Sequence, residues 1–188
     1  IGVDSRLRDI PVIHLDQGSW HGQITQVSGA HSIGVDVGGS GTVTAIVTAD
    51  SQGICAAWEL IGWNQTKVAE LIKSIVTDET VAIAVDTNGI GLGLADILES
   101  EGVQIKRTPN RAEWFRSTCL QYLTAILTGT FWGISDQQFL IDHAGADVNK
   151  GSVNLRHSGD RHCELVPASA MAWQYRPSSN RDLSIWDL

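Results

Sequence analysis

Residues 33–37, IGVDV, and 81–86, VAIAVD, are apolar at nearly every consecutive position, and each run carries an aspartate at or next to its end. Successive residues of a strand point to opposite faces, so runs of this kind are apolar on both faces and need cover from both sides. That requirement selects a layered α/β domain over an open antiparallel sheet. A length of 188 residues, with 43% hydrophobic and 18% charged residues, suits one such domain with a real core.

The rest of the pattern supplies the layers. Strands are predicted over 32–37, 42–49 and 54–61, joined by a turn at Gly38, Gly39, Ser40 and Gly41 and by Asp50-Ser51-Gln52-Gly53, which makes a three-strand antiparallel meander. Asn64 can cap a helix in which Val68, Leu71, Ile72, Ile75 and Val76 form one apolar face. A fourth strand over 80–86 is followed by a helix over 91–101 that stops at Gly102, and by a fifth strand over 103–108. Asn110 and Glu113 resemble a capping box at the head of a long helix lined by Phe115, Cys119, Tyr122, Leu123, Ile126 and Leu127. Short strands are expected near 137–141 and 152–156, and a last helix over 163–175 tolerates Pro167 only in or near its first turn. Residues 1–30 read as a linker or N-terminal extension, 31–175 as the domain, and 176–188 as a C-terminal tail.

No apolar run approaches the roughly 20 residues that cross a bilayer, and the N-terminus has no basic-then-apolar signal pattern. Cys55, Cys119 and Cys163 are odd in number and far apart, which indicates neither a disulfide framework nor a zinc ribbon and fits a reducing compartment. The start at Ile1 suggests a piece of a longer chain. A net charge of −8 disfavours affinity for nucleic acid by charge alone, although Lys106, Arg107, Arg111 and Arg116, and separately Lys150, Arg156, Arg161, Arg176 and Arg181, leave room for local basic surfaces.

The two strand-end acids carry the chemistry. If the strands that end in Asp36 and Asp86 are parallel neighbours, both carboxylates emerge at one sheet edge, where α/β sheets place ligands. Carboxylates brought together repel, so the arrangement needs protons or a cation between them. Hard divalent cations, Mg²⁺ or Mn²⁺, suit oxygen ligands, and two such ions are the common machinery of phosphodiester hydrolysis. Each acid also has a local reading: Asp36 beside its glycine turn, and Asp86 before Asn88-Gly89, can serve simply as turn residues.

The segments IGVDVGGSGTVTAIVTAD, VAIAVDTNGIGLGLADILESEGVQIKRT, a long helix ending LTGTF, and HCELVPASAMAW occur in this order over 32–175. Together they resemble the ribonuclease H-like nuclease domain of the large terminase subunits of tailed phages. The resemblance implies a mixed sheet, an antiparallel three-strand meander plus parallel strands, flanked by helices. It implies a metal-dependent endonuclease that cuts double-stranded DNA during genome packaging with two Mg²⁺ or Mn²⁺ ions. It further implies an ATPase motor domain in the same subunit, a small terminase and a portal as partners, and work in the host cytoplasm with no membrane. No GxxxxGK[ST] phosphate loop is present, so the chain corresponds to the nuclease part. Asp36 and Asp86 match the family's ligands on the first and fourth strands. Glu164 stands where the family commonly has an Asp before a small-residue helix, with Asp160, Asp142 and Asp147 as substitutes. His143 reads as a surface or loop residue beside Asp142.

Three other functions fit parts of the pattern. A Holliday-junction resolvase-like nuclease shares the fold and the acidic centre. GVDVGGSGT resembles the phosphate-binding hairpin of sugar kinases and actin-like ATPases, which need a second lobe. A non-catalytic binding module on a degraded nuclease fold would account for Glu in place of Asp at 164.

Overall fold

The computed structural model describes residues 6–15, 17, 20, 24, 27–39, 42–109, 112–149, 152–155 and 163–178. The chain lays down β1 (Leu7–Arg8), β2 (Val12–Leu15), β3 (His31–Asp36), β4 (Val43–Ala49), β5 (Ile54–Ile61), α1 (Gln65–Ile75), β6 (Thr80–Val85), α2 (Gly91–Ser100), β7 (Lys106–Arg107), α3 (Ala112–Leu127), β8 (Gly133–Ile134), α4 (Gln137–Ala144), β9 (Ala146–Asn149), β10 (Ser152–Leu155) and α5 (Leu165–Gln174). Six strands form one mixed sheet in the order β2-β5-β4-β3-β6-β7. The expected meander is β3-β4-β5, antiparallel at both joints, while β6 runs parallel to β3 and β7 parallel to β6. Val12–Leu15 adds a strand parallel to β5 at one edge of the sheet.

The alternation along β3 explains the two covering layers. Ile33 and Val35 point into one apolar cluster with Ile46, Trp58 and Leu60 of the sheet and with Val68, Leu71 and Ile72 of α1 and Leu94 and Leu98 of α2. The opposite face of the sheet packs Ala45, Val47 and Ala57 against Leu165, Ala168 and Ala172 of α5, with Cys119, Tyr122 and Ile126 of α3 and Phe139 of α4 behind them. Each fully buried Leu, Ile or Phe contributes roughly 1.5–3 kcal/mol to such layers. α1 begins as its sequence demands, with the Asn64 side chain accepting from Lys67 N at 2.9 Å.

On the α5 side, β3 presents Ser32 and Gly34. The Ser32 hydroxyl donates to Ala172 O at 2.5 Å. A Cβ on Gly34 would overlap Ala168 O and stand 2.6 Å from Ala172 N, so helix and strand backbones lie in direct contact. Glycine at 34 and alanines at 168 and 172 are what make that approach possible.

Several expectations need correction. The stretch 137–141 is helix, not strand: Asp136 Oδ1 accepts from Gln138 N at 2.7 Å and from Phe139 N at 3.2 Å, and Phe139, Asp142 and His143 are buried at helical spacing. A short apolar run does not by itself distinguish the two states. The fifth strand shrinks to Lys106–Arg107, since only these residues pair with β6. Leu127, expected on the packed face of α3, is exposed. Ser40, Gly41, Asn110, Arg111, Lys150, Arg156, Asp160, Arg161 and Arg181 lie outside the described residues.

Candidate metal centre

The parallel pairing of β3 with β6 runs in register from Ser32 beside Ala82 to Val35 beside Val85. Asp36 and Asp86 are the next residues on the two strands, and Asp86 N donates to Val35 O at 3.0 Å. The two aspartates therefore stand side by side at the carboxyl edge of the sheet. Glu164 reaches this edge through α5. Gly34 lies against Ala168, so two residues further along the strand, about 6–7 Å, lead to Asp36. Four residues back along the helix, about 6 Å, lead to Glu164. Helix and strand run in opposite directions, and the two acids approach at the same level.

Electrostatics register the convergence. The Asp36 carboxyl is pushed up to about 8, first by burial and then by the negative charges of Asp86 and Glu164. Among the described residues no hydrogen-bond donor faces Asp36. A desolvated carboxylate whose charged neighbours are both acids is satisfied by a proton or by a cation.

Asp86 is held differently. Its Oδ1 accepts from Asn88 N at 2.9 Å, from Asn88 Nδ2 at 2.7 Å and from Thr108 Oγ1 at 3.2 Å. Thr108 is itself fixed to the turn, because Thr87 Oγ1 donates to Thr108 O at 3.0 Å. Oδ1 is thus occupied, and Oδ2 takes no hydrogen bond among the described residues. The role of Asn88 as a turn residue was readable from Asn-Gly after the strand. Thr108 was not, because nothing in the local sequence ties it to Asp86.

All three donors are carboxylates, a set that fits a hard divalent cation and not a soft one. Among the described residues, no three His, Cys, Asp or Glu stand in the closed arrangement of a formed metal site. Of the substitutes for Glu164, Asp142 is 2% exposed and its Oδ2 accepts from Leu165 N at 3.2 Å, at the head of α5. Asp147 lies on β9 in the β9–β10 hairpin, opposite Asn154, and Asp160 is outside the described residues.

His143 is a core residue, not a surface one. Its ring stacks on Phe139 with centroids 3.8 Å apart, its Nδ1 donates to Phe139 O at 2.7 Å, and Tyr122 OH donates to its Nε2 at 2.7 Å. A carbonyl can only accept, which fixes the tautomer. Helical spacing after Phe139 was the available sign that residue 143 faces inward.

No protein-family model matches the sequence, and no curated protein matches it in sequence. Solved structures match over nearly the whole chain. The large terminase nuclease from thermophilic phage G20c with bound magnesium superposes with a TM-score of 0.67 at 14% identity, over 90% of this chain and 94% of that one. The Thermus phage P74-26 large terminase nuclease domain gives 0.67 at 16% identity, over 92% and 93%. A nuclease domain of the large terminase subunit of bacterial virus Sf6, with manganese and beta-thujaplicinol, gives 0.52 at 12% identity, over 84% and 93%. The chain has the mixed-sheet, ribonuclease H-like fold of the large terminase nuclease domains of tailed phages.

Proposed function

We propose that this domain is a divalent-metal-dependent endonuclease that cuts double-stranded DNA during phage genome packaging. The observation that carries the reading is the side-by-side placement of Asp36 and Asp86 at the carboxyl edge of the sheet, with the charge of Glu164 also acting on Asp36. Support also comes from the fold, whose solved neighbours include nucleases with bound magnesium and manganese.

Asp36, Asp86 and Glu164 would hold Mg²⁺ or Mn²⁺, two ions in the full site. When bound, such ions supply an activated water and stabilise charge on the leaving oxygen of a phosphodiester. The chain's own contribution is orientation. Asn88 and Thr108 fix one oxygen of Asp86 and leave the other facing the edge. The glycine floor of β3 lets α5 carry Glu164 to the level of Asp36. Asp36 has no donor of its own and would give its whole charge to the cation. Working in the host cytoplasm, the domain would receive DNA from an ATPase motor of the same subunit, with small terminase and portal as further partners.

A nicking assay on supercoiled plasmid tests the reading. Wild type is expected to cut with Mn²⁺ or Mg²⁺, to stop on chelation, and to lose at least 100-fold in rate in Asp36→Asn, because removing a ligand charge from such a site weakens both binding and chemistry. Cleavage that persists in EDTA, or an Asp36→Asn variant as active as wild type, overturns it.

A further inference from the structure

Among the described residues, the metal-ligand reading leaves two buried carboxylates without a role: Glu59, which faces His14 Nδ1 at 3.1 Å, and Asp142, which lies beside Glu164. Asp142, near the end of α4, is almost wholly enclosed, and both of its oxygens are engaged. Oδ1 accepts from Gln138 Nε2 at 2.8 Å, one helical turn earlier, and Oδ2 accepts from Leu165 N at 3.2 Å. Leu165 is the first residue of α5, and the residue before it is Glu164. A helix start leaves its first N–H groups unpaired and carries partial positive charge, so a carboxylate placed there is held by both.

A second contact from the same part of the chain lies on the other side of Glu164. Cys163 has a φ of 60°, the left-handed region that side chains other than glycine rarely adopt. A Cβ on Gly145 would stand 2.6 Å from Cys163 Sγ, so Gly145 gives the thiol its room. Asp142 therefore holds the backbone on one side of Glu164, and Gly145 leaves room for the Cys163 thiol on the other. The Glu164 side chain makes no capping bond to its own helix, and the N-terminal cap of α5 comes instead from Asp142.

We propose that Asp142 is a positioning residue for the nuclease reaction: held by Gln138, it clamps the first N–H of α5 and so fixes where the Glu164 carboxylate stands relative to Asp36. The inference rests on the reading of Glu164 as a metal ligand. It gives Asp142, one of the substitutes for the third acid, a different task. A clamp needs chiefly an acceptor in the right place, its charge adding a smaller attraction to the helix start, whereas a ligand needs its full charge. Asparagine at 142 can accept from Leu165 N through Oδ1 and, with the Gln138 amide turned over, donate to Gln138 Oε1. Leucine at 142 can do neither.

The test measures, for each variant, the Mn²⁺ concentration giving half of the metal-induced rise in melting temperature, alongside plasmid cleavage. Asp142→Leu is expected to raise that concentration and lower cleavage by roughly tenfold each, the usual effect of losing a group that orients a metal ligand. Asp142→Asn should stay within about threefold of wild type on both readouts, the behaviour of a clamp that depends on shape. Gln138→Ala, a milder change should Asp142→Leu fail to fold, should shift the midpoint in the same direction by a smaller factor. In a Glu164→Gln background, Asp142→Leu should add no further shift, because it acts through Glu164. Asp142→Asn as inactive as Asp36→Asn overturns the inference and makes Asp142 a ligand. A lowered melting temperature with an unmoved Mn²⁺ midpoint in Asp142→Leu or Gln138→Ala reduces the contact to a structural cap and also overturns it. If wild type shows neither cleavage nor metal-induced stabilisation, the metal-centre reading falls and takes this inference with it.

Discussion

The His143 imidazole is held neutral by its surroundings, and that has a consequence for stability. Burial pushes its pKa down to about 4, because a charged ring between Tyr122 and Phe139 would lose hydration without gaining an anion. The folded pKa lies below the ordinary value of 6.5, so the unfolded chain binds the proton more readily. The stabilisation from neutral His143 is complete above about pH 6.5 and is lost as pH falls toward 4, by about 2 kcal/mol at pH 5 on linkage arithmetic. Melting curves of wild type and His143→Gln between pH 7 and pH 5 check this. The advantage of wild type should shrink on acidification, and a difference that stays constant across the range would show that the ring does not titrate with unfolding. Whether His143 faced solvent or core depended on residues 137–144 being a helix, which its short apolar run left open.

At the scale of elements, the seating of α5 on β3 decides whether the three acids meet. Gly34→Ala places a methyl against Ala168 O and Ala172 N, backbone atoms that can move only if the whole helix moves. The expected cost is about 1–3 kcal/mol of stability, as for other overpacked interiors. Metal-induced stabilisation should fall with it, because Glu164 is carried away from Asp36. A Gly34→Ala variant that melts like wild type and still gains stability from Mn²⁺ would mean that α5 does not depend on this contact. Much of this architecture was legible. The meander, α1 with its Asn64 cap, and the two strands ending in acids follow from local periodicity and turn residues, whereas the parallel pairing that sets those acids side by side was only a condition, which the β3–β6 register meets. What was not legible came from contacts between distant segments. Which face of α5 meets the sheet is set by Ser32 and Gly34, far earlier in the chain, and Thr108 meets Asp86 only because β7 pairs beside β6. Asp142 illustrates the same limit. As a type it was a candidate for the third acid, and only its bond to Leu165 N separates a clamp from a ligand.

For the whole molecule, the distribution of charge sets the terms on which DNA can be held. The net charge is −8, and several described cations already face carboxylates. Arg8 pairs with Asp50, Lys67 with Glu70, Lys73 with Glu101, and Arg107 with both Asp96 and Glu99 at 2.6 Å. Arg107 belongs to one of the two basic groups in the sequence, and its two acids cancel its charge. With a net charge of −8 repelling the polymer and these four cations already paired, the isolated domain should bind duplex DNA weakly. Even a footprint of about three phosphates would lose roughly twentyfold in affinity between 50 and 150 mM salt. On the proposed function, useful cutting would then depend on a partner that delivers the DNA. The charge argument is tested by Asp96→Asn with Glu99→Gln, which frees Arg107 and removes two negative charges. These ion pairs are exposed and screened by solvent, so the fold should be nearly as stable as before. Fluorescence anisotropy with a labelled duplex, in EDTA to prevent cleavage, should show severalfold tighter binding at 50 mM salt and a steeper loss as salt rises, because one more phosphate is neutralised. Unchanged affinity in this double variant, with wild type binding tightly at 150 mM salt, would mean that DNA is held by contacts other than charge.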